Sequence, residues 1–273
     1  MKNPGTPIPL GLRVWFAVEV LFGIGAVVSI GLFPQNAREN FAWDVQPTVM
    51  ASVLGAYYMS SALLFVLPLL ARRWEMIRVM ILPTALFGSA ELIATLLHWD
   101  RFSVGMLPFW VWFVSYLLPP PIFFGFYIYL QRKVKTSGVV VPGEPLSREV
   151  RTAFIHWGAL LGILAVVLFI FPYLLIAAAP WKMTPLTVRA FVSWLIALAT
   201  LMLSMASEND RTRILFGVPM LILVLPTVTI QIARFADQAN FANAALFILY
   251  GFVLVAFVLG VFLARSDWRG ALS

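Results

Sequence analysis

The chain has 273 residues, of which 62% are hydrophobic and only 11% are charged, and its formal net charge is +7. Soluble globular proteins carry about 45–50% apolar and about 25% charged residues, so this composition excludes an ordinary water-soluble fold. Because the chain has no cysteine, disulfides, thiolate nucleophiles and cysteine-ligated metal sites are also excluded. No basic stripe is interleaved with exposed aromatic residues, which argues against nucleic-acid binding.

Long apolar runs separated by short charged clusters predict membrane helices, since a membrane barrel would show short alternating segments. A spanning helix needs about 20 residues at 1.5 Å per residue. The predicted fold class is therefore an all-α integral membrane protein of about eight transmembrane helices in a lipid bilayer. In chain order, the apolar runs predict helices at 10–32, 47–70, 75–98, 107–130, 153–177, 187–206, 213–234 and 242–264.

The basic residues predict which way these helices cross the membrane. If the helices alternate, 14 of the 19 lysines and arginines fall on the side that holds both termini. The positive-inside rule then predicts a multi-pass protein of the cell membrane with both termini in the cytoplasm. The 14 residues are Lys2, Arg13, Arg72, Arg73, Arg78, Arg132, Lys133, Lys135, Arg148, Arg151, Arg211, Arg213, Arg265 and Arg269.

The middle of the chain holds its one long polar stretch, residues 131–151, which is rich in glycine and proline and predicts a cytoplasmic linker. The two flanking halves share features. Trp43 and Trp181 each precede a proline by four residues just before a predicted helix, and Pro83 and Pro219 lie in equivalent helices at an offset of 136.

These matches predict an internal duplication: a first four-helix repeat at 1–132, a linker at 133–151 and a second four-helix repeat at 152–273. Because each repeat contains an even number of helices, both repeats have the same orientation. They are predicted to be parallel, related by a pseudo-two-fold axis along the membrane normal.

The segment Trp181-Lys-Met-Thr-Pro-Leu-Thr-Val-Arg-Ala190 lies just before a predicted helix. It resembles a motif, Trp-x3-Pro-Leu-Thr-x-Arg-Ala, of uncharacterised bacterial multi-pass membrane proteins. The resemblance implies a bacterial membrane origin and carries no particular activity. The first half departs from the motif, because Met50 stands near the position of the arginine.

Three charged residues of the predicted helices are expected to lie inside the bilayer: Glu19, Glu91 and Arg189. A charge at the bilayer centre costs about 2.5–3.5 kcal/mol on insertion scales, so such residues are candidates for function or for ion pairing. Glu91 and Arg189 are hypothesised to pair across the two halves, and the alternative is that Arg189 extends to the membrane surface. Glu19 is a proton carrier, a cation ligand, a partner of Arg13 or of a basic loop residue, or a neutral group inside the bundle.

His98 and His156 are the only histidines and the only weak candidates for binding a cofactor such as a haem or pigment. The predicted topology puts them at opposite membrane surfaces, which excludes joint ligation of one metal. No His, Asp and Glu cluster predicts a metal site, and no nucleophile or phosphate-binding motif predicts a catalytic residue.

Pro119, Pro120 and Pro121 lie in the fourth predicted helix and must break or kink it, because each lacks a backbone N–H. Broken helices at membrane depth occur where they are buried in protein or line a cavity. The break is either part of a transport path or a structural kink, and the second half has no equivalent.

Three classes of function remain. The scarcity of intramembrane polar groups and the 23 phenylalanines favour a non-catalytic accessory subunit of a membrane complex, or a binder of an apolar ligand such as a lipid, quinone or pigment. The repeat and the broken helix favour a transporter of small solutes or lipids. A lipid-modifying enzyme is the third class, for which no catalytic cluster is evident.

Overall fold

The computed structural model describes residues 5–137 and 143–264, and no β-strand occurs in these two ranges beyond an isolated bridge between Pro7 and Arg73. Eight of its helices are long and apolar enough to cross a membrane. The protein is therefore an all-helical polytopic membrane protein, and the predicted number of membrane helices is confirmed. In chain order they are α1 Leu10–Leu32, α2 Thr48–Leu70, α3 Trp74–Leu97, α4 Leu107–Thr136, α5 Arg148–Ile170, α6 Pro185–Glu208, α7 Leu215–Arg234 and α8 Ala244–Ala264.

Hydrogen bonds between helix ends show that the helices alternate in direction. Arg13 at the start of α1 donates to the Leu69 carbonyl at the end of α2, over 2.7 Å. Arg151 at the start of α5 donates to the Ala206 carbonyl near the end of α6, over 3.1 Å. We call the side that holds the start of α1 the terminal side, and the opposite side the distal side.

The helices form an inner and an outer group. α3 packs on α6 and α2 packs on α7, while α1, α4, α5 and α8 each cover one of these inner helices. The apolar window of α6 is 78% buried within the protein, whereas that of α1 is 17% buried. The outer helices therefore present most of their apolar surface to lipid.

Two predicted boundaries differ from the structure. The fifth helix, predicted at 153–177, ends at Ile170, and Pro172 begins a separate short helix, Pro172–Ala178. Proline disfavours a helical conformation in the residue before it, which explains the interruption. At its other end α5 begins at Arg148, where the hydroxyl of Ser147 caps the helix by accepting from the Val150 N–H.

The predicted linker at 131–151 is consequently shorter, because helices enter it from both sides. The fourth helix continues to Ser137. Residues 138–142 lie outside the described ranges, and the described remainder, 143–147, is not helical. Arg211 in the loop between α6 and α7 donates its backbone N–H to the Glu144 carbonyl over 2.7 Å, which ties this segment to the terminal side.

The fourth helix is interrupted at Leu118. It consists of Leu107–Leu117 and Pro119–Ser137, so the three prolines form the first turn of the second segment. The first turn of a helix has no intrahelical partner for its N–H groups, so prolines are tolerated there. The interruption thus lies one residue before the triple proline.

Candidate ligand-binding cavity

A cavity of about 500 Å³ lies in the first half of the chain, between α1, α2, α3 and α4, with Trp194 of α6 also in its wall. This volume is typical of small-molecule sites, which measure roughly 300–1,000 Å³. Most of the wall is aliphatic or aromatic. Pro119 belongs to it, so the interruption of α4 borders the cavity.

The cavity opens sideways between α1 and α4. Leu21 and Ile24 of α1 and Val111 of α4 line it, yet these side chains are also exposed at the protein surface. A Cβ atom added to Gly23 or Gly25, which line the cavity on α1, would meet no atom within 4 Å. Because this surface belongs to apolar spanning helices, the opening faces lipid rather than water.

The polar groups of the wall fall into two sets. The Ser61 and Ser115 hydroxyls donate to carbonyl oxygens of their own helices, over 3.1 and 2.8 Å. The half-buried Glu19 carboxyl is not satisfied in this way, since its buried Oε1 has no hydrogen-bond partner. The hydroxyls of Tyr58 on α2 and Tyr116 on α4 are hydrogen-bonded to each other. Glu19, the tyrosine pair and the amide of Asn40 are thus polar groups of the wall that a ligand could reach.

Three aromatic side chains, Trp194, Phe87 and Trp112, surround the tyrosine pair. Trp194 lies 3.9 Å from Phe87 and 4.9 Å from Tyr58 between ring centroids. Tyr116 lies 5.6 Å from Phe87 and 4.4 Å from Trp112. All five side chains line the cavity, so its wall next to the hydroxyls is a continuous aromatic surface.

Glu91 on α3 lies behind this surface and is only 1% exposed. Its Oε2 has no hydrogen-bond partner. Glu91 follows Phe87, a residue of the cavity wall, by four positions on α3, which is about one helical turn. It is thus a second carboxyl with an unpartnered buried oxygen, besides Glu19.

The hypothesised ion pair between Glu91 and Arg189 is not formed, and across residues 5–137 and 143–264 no salt bridge includes either residue. The Arg189 guanidinium instead donates to the Phe169 carbonyl over 3.0 Å and to Nε2 of His98 over 2.6 Å. The reason is depth, because Arg189 lies in the first turns of α6, level with the end of α3. Glu91 is seven residues before His98, about 10 Å deeper along a helix.

Arg13 is not the partner of Glu19, since its guanidinium donates to the carbonyls of Leu69 and Ala71. That alternative for Glu19 is therefore wrong. The Leu69 and Ala71 carbonyls lie at the end of α2, where the last turn of a helix leaves carbonyl groups without intrahelical partners. Arg13 thus joins the ends of two helices on the terminal side.

His98 lies at the distal end of α3. Arginine has no acceptor, so Nε2 of His98 accepts the hydrogen bond and the proton of the neutral ring is on Nδ1. Burial, and next the Arg189 charge, lower the pKa of His98. His156 lies in the terminal half of α5 with an exposed side chain. The two histidines are thus at opposite ends of the bundle, and the described ranges contain no group of three metal-ligating side chains.

Sequence reasoning missed Tyr116, Trp112 and Trp194 as members of a site. A signal was present in the comparison of the two halves. At the 138-residue offset that relates Trp43 to Trp181, Tyr58 corresponds to Ile196 and Tyr116 to Leu254. A position-by-position search for polar groups without a polar counterpart would have found Tyr116, but not Trp112, whose counterpart is Tyr250.

Comparisons of the chain with protein-family models, with curated proteins and with solved structures found no match in any of the three. The geometry of the cavity therefore carries the functional argument alone.

Proposed function

We propose that the protein binds an apolar ligand from the surrounding bilayer in the cavity of its first half, as a non-catalytic membrane component. The observation that carries this proposal is a 500 Å³ apolar cavity that opens to lipid and contains a buried carboxyl oxygen without a partner. A ligand with an apolar body would fill the aliphatic wall, and its polar end would reach Glu19 and the tyrosine pair.

The glycines of α1 support this role. A glycine inside a helix costs about 1 kcal/mol relative to alanine. Gly31 is needed for packing, because a Cβ there would lie 2.6 Å from Met59 and 3.6 Å from the Gly55 carbonyl. Gly23 and Gly25 have no such packing reason, and what they do is keep the side of the cavity open.

Filling the cavity tests the proposal. Gly25→Phe adds a ring at the exposed opening of the cavity. Gly251→Phe is the matched control, since Gly251 in α8 is likewise exposed and has no neighbour within 4 Å, but it does not line the cavity. Organic extraction and mass spectrometry of the purified proteins should find an apolar compound that is retained by the wild type and by Gly251→Phe but lost from Gly25→Phe. Equal retention by all three would reject the proposal.

We also propose that the chain consists of two parallel four-helix repeats at 1–132 and 152–273. Exchange of the halves turns the α3–α6 contact into the α7–α2 contact, as a two-fold relation requires. The carbonyls of Gly31 and Phe169, related by the offset of 138, both accept hydrogen bonds from an arginine. In one half this arginine is Arg234 of α7, and in the other it is Arg189 of α6.

The terminal side is proposed to face the cytoplasm of the cell that makes the protein, because the basic residues concentrate there. The natural absence of cysteine makes a direct test simple. Thr136→Cys reports on the terminal side and Ser103→Cys on the distal side. A membrane-impermeant maleimide added to intact cells should label only Ser103→Cys, and labelling of Thr136→Cys alone would reverse the topology.

Transport of the same ligand is a second candidate function, favoured by the interruption of α4 at Leu118 beside the cavity. A break of this kind gives the two segments of α4 separate freedom to move. Reconstituted vesicles should then move the bound compound between leaflets faster than protein-free vesicles. Binding without accelerated movement would leave the binding role and remove the transport role.

A further inference from the structure

The chemistry of the cavity wall narrows the class of ligand. Among the described residues that line it, none is lysine, arginine or histidine. An anionic head such as a phosphate or carboxylate would meet no cation there, and it would approach the Glu19 carboxyl. Burying an unpaired charge costs several kcal/mol, so fatty acids and acidic phospholipids do not suit this cavity.

The groups that are present suit a cation. The Glu19 carboxyl lines the cavity, its Oε1 has no partner, and Arg13 is bonded elsewhere. Glu91, whose buried Oε2 also has no hydrogen-bond partner, lies behind the tyrosine pair.

The aromatic rings of the wall also favour a cationic ligand. Rings of Phe87, Trp112 and Trp194 adjoin the Tyr58–Tyr116 pair, with centroid separations between 3.9 and 5.6 Å along the chain of contacts from Trp194 through Phe87 and Tyr116 to Trp112. A cation over the face of such rings is attracted by their quadrupoles, most strongly where it is desolvated. Several rings grouped in this way form the type of site that proteins use for quaternary ammonium groups.

We propose that the ligand of this cavity is a lipophilic cation, a molecule with an apolar body and an ammonium head that binds beside Glu19 and the aromatic surface. The inference rests on the proposed binding function and deepens it by naming the charge of the head. The apolar body lies along the aliphatic wall toward the opening between α1 and α4.

Three probes with one alkyl chain and different heads test this assignment: decyltrimethylammonium, decanol and decanoate. Titration calorimetry in an uncharged maltoside detergent avoids attraction of the cation to acidic lipids. Decyltrimethylammonium should bind about ten-fold more tightly than decanol, and decanoate more weakly than either. Glu19→Gln should remove this preference, so that decyltrimethylammonium and decanol bind about equally.

The control variant is Glu149→Gln, which removes an exposed carboxyl at the start of α5 far from the cavity and should keep the wild-type preference. If decanol binds as well as the cation in the wild type, or if Glu19→Gln keeps the preference, the assignment of a cationic head is overturned while cavity binding stands. If no probe binds, or if binding is the same in Gly25→Phe, the proposed function itself fails.

Discussion

The two halves of the protein have similar helix contacts, but they differ in the volume of space between their helices. The first half contains the cavity of about 500 Å³, whereas the pocket that α6, α7 and α8 of the second half form with α2 has a volume of about 20 Å³. The polar groups differ in the same sense. At an offset of 138, Glu19, Tyr58 and Tyr116 correspond to Trp157, Ile196 and Leu254. The helix arrangement therefore does not force a cavity, and particular side chains of the first half keep it open.

Glycines show how the two halves differ in packing. A Cβ atom on Gly260 of α8 would lie 2.9 Å from Ile222 and 3.0 Å from Leu221 on α7, so the second half uses this glycine for close helix contact. A Cβ atom on Gly25 would meet nothing. The same residue type thus closes a contact in one half and borders a cavity in the other.

The largest effect is expected from filling these two positions. Gly260→Leu forces a side chain between α7 and α8 and should destabilise the protein by about 3 kcal/mol. Gly25→Leu should leave stability unchanged or increase it by up to about 1 kcal/mol, because helix propensity improves and space is free. Thermal unfolding in detergent, followed by intrinsic fluorescence, measures both. Equal losses would contradict the difference in packing.

A smaller effect is expected at the two arginines that cap helix ends on the distal side. Arg234 donates to the carbonyls of Gly31 and Leu32, over 2.7 and 3.0 Å, and to Gln231, whereas Arg189 donates to the Phe169 carbonyl and to His98. Hydrogen bonds from charged groups contribute about 1.5–3 kcal/mol each. Arg234→Met should therefore cost more stability than Arg189→Met, by about 1 kcal/mol, in the same unfolding experiment. The reverse order would show that the hydrogen bonds of Arg189 contribute more to stability than those of Arg234.

The smallest expected effect is a pH dependence of stability that arises from the contact of Arg189 with His98 and not from the contacts of Arg234. The pKa of His98 is lowered by burial and by Arg189, with Asp100 and Arg101 also nearby. The unfolded chain therefore binds the proton more readily, so stability should fall as pH drops below the ordinary histidine pKa of about 6.5. The loss should be on the order of 0.5 kcal/mol, because the ring is only partly buried and solvent screens it.

His98→Gln keeps an acceptor for Arg189 and should remove this part of the pH dependence. Arg234 serves as the comparison without a pH response. Its acceptors are two backbone carbonyls and the Gln231 amide, none of which titrates in this range. A pH profile of thermal unfolding for the wild type and His98→Gln measures the effect. Identical profiles would show that folding does not change the proton affinity of His98.

The membrane helices were predictable because apolar length alone defines them, and all eight are present. The interruption before Pro119 followed from the missing N–H groups of proline. The partner of Arg189 was not predictable from charge, since the guanidinium is satisfied by a helix-end carbonyl and a histidine ring. Such acceptors cannot be recognised in a sequence. The opposite charge of Glu91 on another helix suggested it as the partner, although Glu91 lies deeper in the membrane than Arg189.

The cavity also could not be predicted, because it depends on how far α1 and α4 stand apart. The sequence did mark Glu19 as a group that needs explanation. It could not show that the hydroxyls of Tyr58 on α2 and Tyr116 on α4 are in contact, since these two residues are 58 positions apart in the sequence.

The most direct test of the difference between the halves uses one matched pair of cysteine substitutions in this naturally cysteine-free chain. Ser115 and Val253 are related by the offset of 138, are 8% and 4% exposed, and line the large and the small space respectively. In detergent, the lipid-soluble reagent N-phenylmaleimide should label Ser115→Cys at least about ten-fold faster than Val253→Cys, because only the first position borders a space wide enough to admit the reagent. Both variants should label completely after unfolding. Equal, slow labelling of both in the folded state would contradict an open cavity in the first half.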